Sequence, residues 1–454
     1  MNVSTTSDRI LNLNAFRIVF CLILAYIISR GAVGYDKLYL TASLHDPLPL
    51  FELLGIGQVG AALIPWIRTG LIVCLITAAL GIYTRLSLTI AAGLYFLYFG
   101  NQMGFIKSSF SDYVYHSKAM AFYILLIMAC APEIRKLSID GLKRNRWSTW
   151  RSSVSPQRVF GITVIQWMLG LAYLGSALSK LMHDVQWADG YTLQSYLLRK
   201  HLLYDNALGG EVMQHLDWCQ LMSWGTLLFE GTFLLCVMLP KLRIWYLLAG
   251  AVFHGMIYLL MDINFGVYFF ITYLAFINYA RLPALRTVAA YFRRPRLSVP
   301  APWQRRLAIA GQTVLGLLLV LQVLSIVFEV ENWPVSNYGV FINRHVPSDI
   351  REYRFACSCE GEEIYTWIPR EQLPRSQTTL SRMIRLAHSY QSQSELDNIV
   401  QEVKNYQTLL NPACEELVLL RGWGETDDSG RLTARFEPVH YEVIRDRSIT
   451  MMGG

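Results

Sequence analysis

The chain has 454 residues, of which 53% are hydrophobic, 13% aromatic and only 16% charged. Ordinary soluble domains carry about 25% charged residues, so this composition excludes a disordered chain, a disulfide scaffold and most single soluble domains. The net charge of +7 hides a split: from Glu331 onward there are 13 Lys and Arg against 18 Asp and Glu, a balance of −5, which leaves +12 for the first 330 residues. An apolar, basic front and a polar, mildly acidic tail predict a membrane domain over 1–330 and a small soluble domain over 331–454. The basic excess calls for no nucleic-acid partner, because the cytoplasmic loops of membrane proteins are basic in any case.

Nine apolar runs are expected to cross a bilayer. They lie near Phe16–Ser29, Thr69–Thr84, Leu86–Gly100, Lys118–Cys130, Val159–Leu181, Trp218–Leu239, Ile244–Leu260, Phe265–Ile277 and Leu307–Val330. A span needs roughly 20 residues, and the second, third, fourth and eighth runs are short or interrupted. The stretch Asp36–Pro65 holds apolar patches broken by Pro47, Pro49 and three glycines, which reads as interfacial or re-entrant. The first run begins near residue 13 and lacks a convincing cleavage site, so it is expected to stay as a membrane helix.

The connections alternate in charge. Those after spans two, four, six and eight carry Arg85, the set from Arg135 to Arg158, the pair Lys241 and Arg243, and the set from Arg281 to Arg306. The positive-inside rule assigns these to the cytoplasm. The N-terminus is then cytoplasmic and the tail exported, in a multi-pass protein of the cytoplasmic membrane surrounded by lipid.

In the tail, short strands and turns are expected in 339–361 and 367–374. A helix is expected over Thr378–Leu410, with a break near Gln391–Ser394, and strands over Glu416–Trp423 and Pro438–Arg445. This is a small α+β module. Of eight cysteines, five lie in or beside membrane helices and three in the tail. In an exported tail, Cys414 is a disulfide candidate with Cys357 or Cys359; the alternative is free thiols in a small core. Cys357-Ser-Cys359 lacks zinc-site spacing, and no metal is expected.

Charged and polar residues inside apolar runs carry the functional signal, since each costs a few kcal/mol or more in hydrocarbon without a partner or a role. Arg17 lies in the first span. His116 and Lys118 open the fourth. Lys180 closes the fifth, Glu230 lies midway along the sixth, and His254 midway along the seventh. The expected topology puts His116, Lys118 and Lys180 toward the exported side, together with acids and aromatics such as Asp112, Tyr113, Asp184, Trp187 and Asp189. Simpler roles stand beside this one. A lysine at a helix end can snorkel to water. A buried histidine can join two helices by a hydrogen bond. Arg17 and Glu230 can pair with each other. For Lys180 the chemical reading has a mechanism: a lysine sheltered from water holds its proton less firmly, and its free amine can take a proton from a quinol hydroxyl, a phenol with pKa of about 10. Glu230 is expected to orient or to pair, not to act as the base.

The stretch Tyr173–Leu198, YLGSALSKLMHDVQWADGYTLQSYLL, resembles the vitamin K-dependent γ-glutamyl carboxylases and their microbial relatives, the horizontally transferred transmembrane (HTTM) domain family. The shared pattern is a small-residue helix ending in Lys-Leu, then an acid, a Trp, an acid-Gly pair and a hydroxylic, apolar segment. Asn14-Ala-Phe-Arg17, Tyr113-Val-Tyr-His116, the Glu230 helix ending at Leu239-Pro240, and Phe253-His254 follow the same order. The resemblance spans roughly residues 10–285. It implies that Lys180 deprotonates vitamin K hydroquinone or another quinol. The anion reacts with O₂ to give a strong base on the way to an epoxide; that base removes the γ-proton of a glutamate, and CO₂ adds there. It implies an assisting role for His116, and pocket or scaffold roles for Arg17, Trp187, Glu230 and His254. Lys118 joins the quinol pocket by its place beside His116.

The chain departs from the animal pattern at Ser179-Lys180, where a Lys-Lys pair is expected, and in a longer step from Lys180 to Trp187. Its 124-residue tail is far shorter than the lumenal region of those enzymes. Three functions therefore compete: a membrane enzyme using a quinol and O₂, with or without peptide carboxylation; a non-enzymatic protein for maturation, export or immunity of a secreted peptide; and a small-molecule carrier.

Overall fold

The computed structural model describes residues 3–30, 48–107, 113–131, 134, 137–140, 160–183, 186–263, 266–285, 302–330, 335, 347, 350–358, 365–368, 373, 377–389, 392–410, 416–427 and 431–443. The chain divides into two compact units. The first comprises Met1–Lys180, Leu227–His254 and Asn264–Phe341; the second comprises Leu181–Thr226, Gly255–Ile263 and Ile342–Gly454. A single cut at residue 330 does not reproduce this division, because the second unit draws segments from the apolar front.

In chain order the helices are α1 (Val3–Arg30), α2 (Pro49–Leu53), α3 (Ile64–Leu80), α4 (Thr84–Lys107), α5 (Tyr113–Cys130), α6 (Gly161–His183), α7 (Gln186–Asp189), α8 (Tyr191–Tyr204), α9 (Ala207–Met213), α10 (Leu216–Thr232), α11 (Leu234–Met238), α12 (Arg243–Met261), α13 (Gly266–Tyr273) and α14 (Pro302–Val327). Among the described residues six helical stretches are long and apolar enough to cross a bilayer: Asp8–Arg30, Ala61–Leu80, Gly161–Met182, Leu216–Met238, Arg243–Met261 and Ile309–Val327. Lys118–Cys130 is a shorter apolar helix. Among the described residues the expected count of nine spans is not confirmed. The eighth expected span is the eight-residue α13 followed by 3₁₀ turns. At 1.5 Å per residue α13 covers only about 12 Å, so it cannot cross hydrocarbon alone.

Within the first unit, α3 and α4 form a hairpin around Gly81, which ends α3 in the left-handed region at φ +75°. A Cβ there would strike Ser138. The same junction holds Arg17, buried on α1. Its guanidinium donates to the carbonyls of Ile134 and Leu137, each at 2.5 Å, and to Asn14 Oδ1 at 3.3 Å. The chain leaving α5 is thus fastened to α1 and α3. Asp140 adds a bond from the Tyr83 amide to its carboxylate, 2.6 Å.

In the second unit β1 (Arg351–Ser358), β2 (Tyr365–Trp367), β3 (Glu416–Thr426) and β4 (Leu432–Val443) form an antiparallel sheet in the order β2-β1-β3-β4. Helices α15 (Gln377–Ser389) and α16 (Gln393–Leu410) pack on one face, where Phe355, Leu380, Ile384, Val400, Val403 and Leu419 form the core. The break between these helices falls beside the expected one. The opposite face meets α8. Gly422 and Gly424 lie two residues apart on that face of β3, and a Cβ on either would collide with Leu202 or Leu198 of α8. Cys357, on β1, is disulfide-bonded. Cys359 and Cys414 lie outside the described residues.

One buried carboxylate ties three of these elements together. Glu352 of β1 is 1% exposed; it meets Arg199 Nε of α8 at 2.6 Å and Arg385 Nη1 of α15 at 3.0 Å, and accepts from the Ser381 hydroxyl at 2.5 Å. Removing one partner of a buried pair typically costs 3–5 kcal/mol, but Arg385 is 33% exposed and regains hydration. Glu352→Ala is expected to destabilise the second unit by about 2–3 kcal/mol, read as a lower unfolding temperature in detergent, whereas Glu352→Gln, which keeps an acceptor for Ser381, loses less.

Candidate functional site: a buried lysine–glutamate pair

Residues 173, 176, 177 and 180 recur at steps of three and four, which puts them on one face of α6. That face packs against α10 and α11. The approach is close because the contact residues are small. A Cβ on Gly170 would lie 2.6 Å from Leu234, and the Cβ position of Gly231 lies 3.8 Å from that of Ala177. Small residues at a helix interface let backbones approach and shelter whatever lies beside them.

Lys180 is sheltered in this way. It is 1% exposed, and its Nζ donates to Glu230 Oε2 on α10 at 2.7 Å and to Ser176 Oγ at 2.7 Å. The Ser176 hydroxyl in turn donates to Glu230 Oε1 at 3.2 Å, so the three side chains close a triangle. Glu230 is itself buried. A snorkelling lysine keeps its head group in water, and Lys180 does not. It is not a lone amine either. Glu230 is its partner, and the expected Arg17–Glu230 pair does not form, because Arg17 is engaged with backbone carbonyls. Two ions in hydrocarbon are tolerable only when paired and hydrogen-bonded, and this pair meets both conditions.

One turn further along the same face, the Tyr173 hydroxyl lies 2.6 Å from His254 Nε2 on α12 and 2.5 Å from the Tyr273 hydroxyl on α13. His254 therefore joins α12 to α6, one of the two roles its position allowed. Phe229, Phe233, Phe253 and Phe270 surround this triad, with Tyr173 to Phe233 at 4.3 Å between ring centroids and His254 to Phe270 at 5.8 Å. The wall is aromatic and apolar, of the kind a lipid-soluble ring would pack against. Gly250 of α12 makes room for it, since a Cβ there would overlap the Tyr273 hydroxyl.

The other expected site residues lie elsewhere or are not described. Gly161, at the start of α6, abuts Leu13 and Ala131, one turn from Arg17. Lys180 lies nineteen residues on, about 28 Å along the helix. Arg17 is thus at the opposite end of α6 from Lys180 and fastens the helix ends. Lys118 of α5 is buried; it donates to Gln102 Oε1 at 2.7 Å and lies 4.8 Å from the Phe99 ring centroid. His116 is on α5, but its side chain lies outside the described residues. Trp187 is buried on α7 in the second unit. There the chain turns at Gly190, φ +84°, where a Cβ would strike the α10 backbone at Gln220. Ser176 and Tyr273 were missed as site residues. Ser176 was legible from its place four residues before Lys180, but Tyr273 lies in an aromatic run with nothing local to mark it. Among the described residues no group of three His, Cys, Asp or Glu side chains converges as a metal site.

The two glycines give a test of this packing. Gly250→Ala is expected to destabilise the protein by about 1–3 kcal/mol, because the methyl must displace the Tyr273 hydroxyl from Tyr173. Gly231→Ala meets nothing closer than 3.8 Å and is expected to leave the unfolding temperature near that of the parent. Thermal unfolding of both variants in the same detergent checks the contrast.

Comparison with known proteins adds the family. Neither curated proteins nor solved structures give a match to the chain. The profile of the HTTM domain matches residues 7–280. That range holds the Lys180–Glu230 pair and the Tyr173–Tyr273–His254 triad and covers more than half of the sequence: the chain belongs to the HTTM domain family.

Proposed function

We propose that the protein is a membrane enzyme that ionises a quinol at Lys180 for O₂-dependent epoxidation. The observation that carries this reading is the placement of Lys180: a basic side chain at the end of an apolar helix, closed off from water, paired with a carboxylate, and about two helical turns from an aromatic wall. A hydroquinone with an isoprenoid tail reaches such a site through lipid, and its ring suits the Phe229, Phe233 and Phe270 surroundings. When bound, it supplies the oxidisable ring: hydroquinone and O₂ give epoxide and water. The chain's own part is to take the hydroxyl proton at Lys180 Nζ, hold the resulting anion next to an ammonium, and keep bulk water away. CO₂ addition to a glutamate of a secreted peptide is the coupled reaction that kinship with the carboxylases suggests, and His116 is the residue to assist it.

Lys180→Arg separates a base from an anchor. A guanidinium keeps its charge and can pair with Glu230, but it cannot release a proton in a protein. Both Lys180→Arg and Lys180→Ala are expected to lower epoxide formation by about 10²-fold or more, the size of a general-base contribution. The measurement is epoxide produced from reduced vitamin K and O₂ by purified protein in detergent. Near-parental activity of the arginine variant would remove Lys180 from the chemistry.

The orientation proposed with this function has a cytoplasmic N-terminus and an exported tail, supported by the alternating basic connections. Labelling single cysteines from outside intact cells is expected to reach probes in the tail and to miss probes in the Arg135–Arg158 and Arg281–Arg306 connections. The reverse pattern would put Lys180 at the opposite membrane face.

A further inference from the structure

We propose that Glu230 is the final acceptor of the substrate proton and acts through Lys180. The inference rests on the quinol reading above and deepens it. An ammonium has no lone pair, so a lysine already held as an ion pair cannot receive a proton until it gives one up. Among the described residues, the acceptor beside Nζ that can become an acid is Glu230 Oε2, at 2.7 Å. Ser176 donates to the other oxygen, Oε1, which leaves Oε2 turned to the lysine.

The proton count then closes. At rest the pair holds one exchangeable proton, as ammonium with carboxylate or as amine with carboxylic acid, and is neutral in total. The two forms interconvert by moving a proton along one short hydrogen bond. When a quinol hydroxyl meets Nζ, its O–H bond breaks and an N–H bond forms. A second N–H bond of Lys180 breaks, and an O–H bond forms on Oε2. Lys180 ends as ammonium, Glu230 as carboxylic acid and the substrate as a mono-anion. The protein site goes from zero to +1 as the substrate goes from zero to −1, so the buried region gains no net charge. Glu230 is a positioning residue in this scheme, since it never touches the substrate.

Among the described residues, the titratable groups packed around the pair are Tyr173 on α6, Cys236 on α11, His254 on α12 and Tyr273 on α13. Tyr173 and Tyr273 lie within electrostatic reach of Glu230, and both belong to the hydrogen-bonded triad with His254. None is a carboxylate that could replace Glu230.

The test compares full-length parent, Glu230→Gln and Lys180→Ala in detergent with reduced vitamin K and O₂, from neutral to alkaline pH. Glutamine keeps the shape and the bond to Ser176 but cannot become an acid. Glu230→Gln is expected to lower turnover by about 10²-fold at neutral pH and to recover as the pH rises, because solvent then removes the ammonium proton before substrate arrives. The parent shows no such recovery. A parental profile in Glu230→Gln, or a loss equal at every pH, overturns the inference. Infrared difference spectra of the parent, taken on adding reduced vitamin K without O₂, give a second reading that needs no variant to fold. A new carboxylic-acid band, shifted by ¹³C-glutamate, is expected; its absence also overturns the inference. The two levels separate cleanly: an active Lys180→Ala sinks the quinol reading itself, whereas an inactive Lys180→Ala beside a fully active Glu230→Gln sinks only the role of Glu230.

Discussion

Moving an ammonium out of water costs several kcal/mol even after the surroundings relax, and the first unit is arranged around meeting that cost. Glu230 must reach Lys180 across a helix interface, so α6 and α10 must touch closely. Close contact requires small residues at Gly170, Ala177 and Gly231, and these give up side-chain packing in exchange. The aromatic cluster beside them restores it, with Phe229 and Phe233 filling the space that the small residues leave. The ion pair, the small-residue seam and the aromatic wall are thus one solution to one constraint.

Much of this was legible in the sequence, for physical reasons that differ by residue. Lys180 and Glu230 stand out because charge in an apolar run is rare, and the small residues preceding Lys180 forecast its burial. Their pairing was not legible. Fifty residues separate them, and Arg17 was an equally plausible partner by composition. The position of Arg17 opposite a carbonyl-rich turn after α5 decided otherwise, and sequence periodicity carries no information about free carbonyls. The tail behaved similarly. The break between α15 and α16 follows from a polar cluster and strand β3 from a short apolar run, and β1 falls within the stretch where short strands and turns are expected. Among the described residues the ninefold span count is not confirmed, and α13 shows why: hydropathy alone does not tell a short apolar helix from a crossing one.

The aromatic triad extends the chemistry of the site without adding charge. Tyr173 and Tyr273 carry hydroxyls that satisfy one another and His254, so three polar groups lie deep in the unit with partners present. A polar cluster of this kind fixes the relative rotation of α6, α12 and α13, because turning any one of them would leave a buried hydroxyl or imidazole exposed to hydrocarbon. The geometry around Lys180 is therefore set by hydrogen bonds about two turns away as well as by its own partner.

The meeting of α8 with β3 has a consequence for how such chains diversify. Leu198 and Leu202 belong to the stretch matched by the family profile, yet they seat against Gly422 and Gly424, which lie beyond it. Arg199, between them, reaches the buried carboxylate of β1. A family member that exchanged this tail for another would inherit two leucines and an arginine with nothing to receive them. Positions 198, 199 and 202 should therefore vary in step with the C-terminal module rather than with the helices around Lys180, and a chimaera that swaps tails would need those three residues to travel with the transplant.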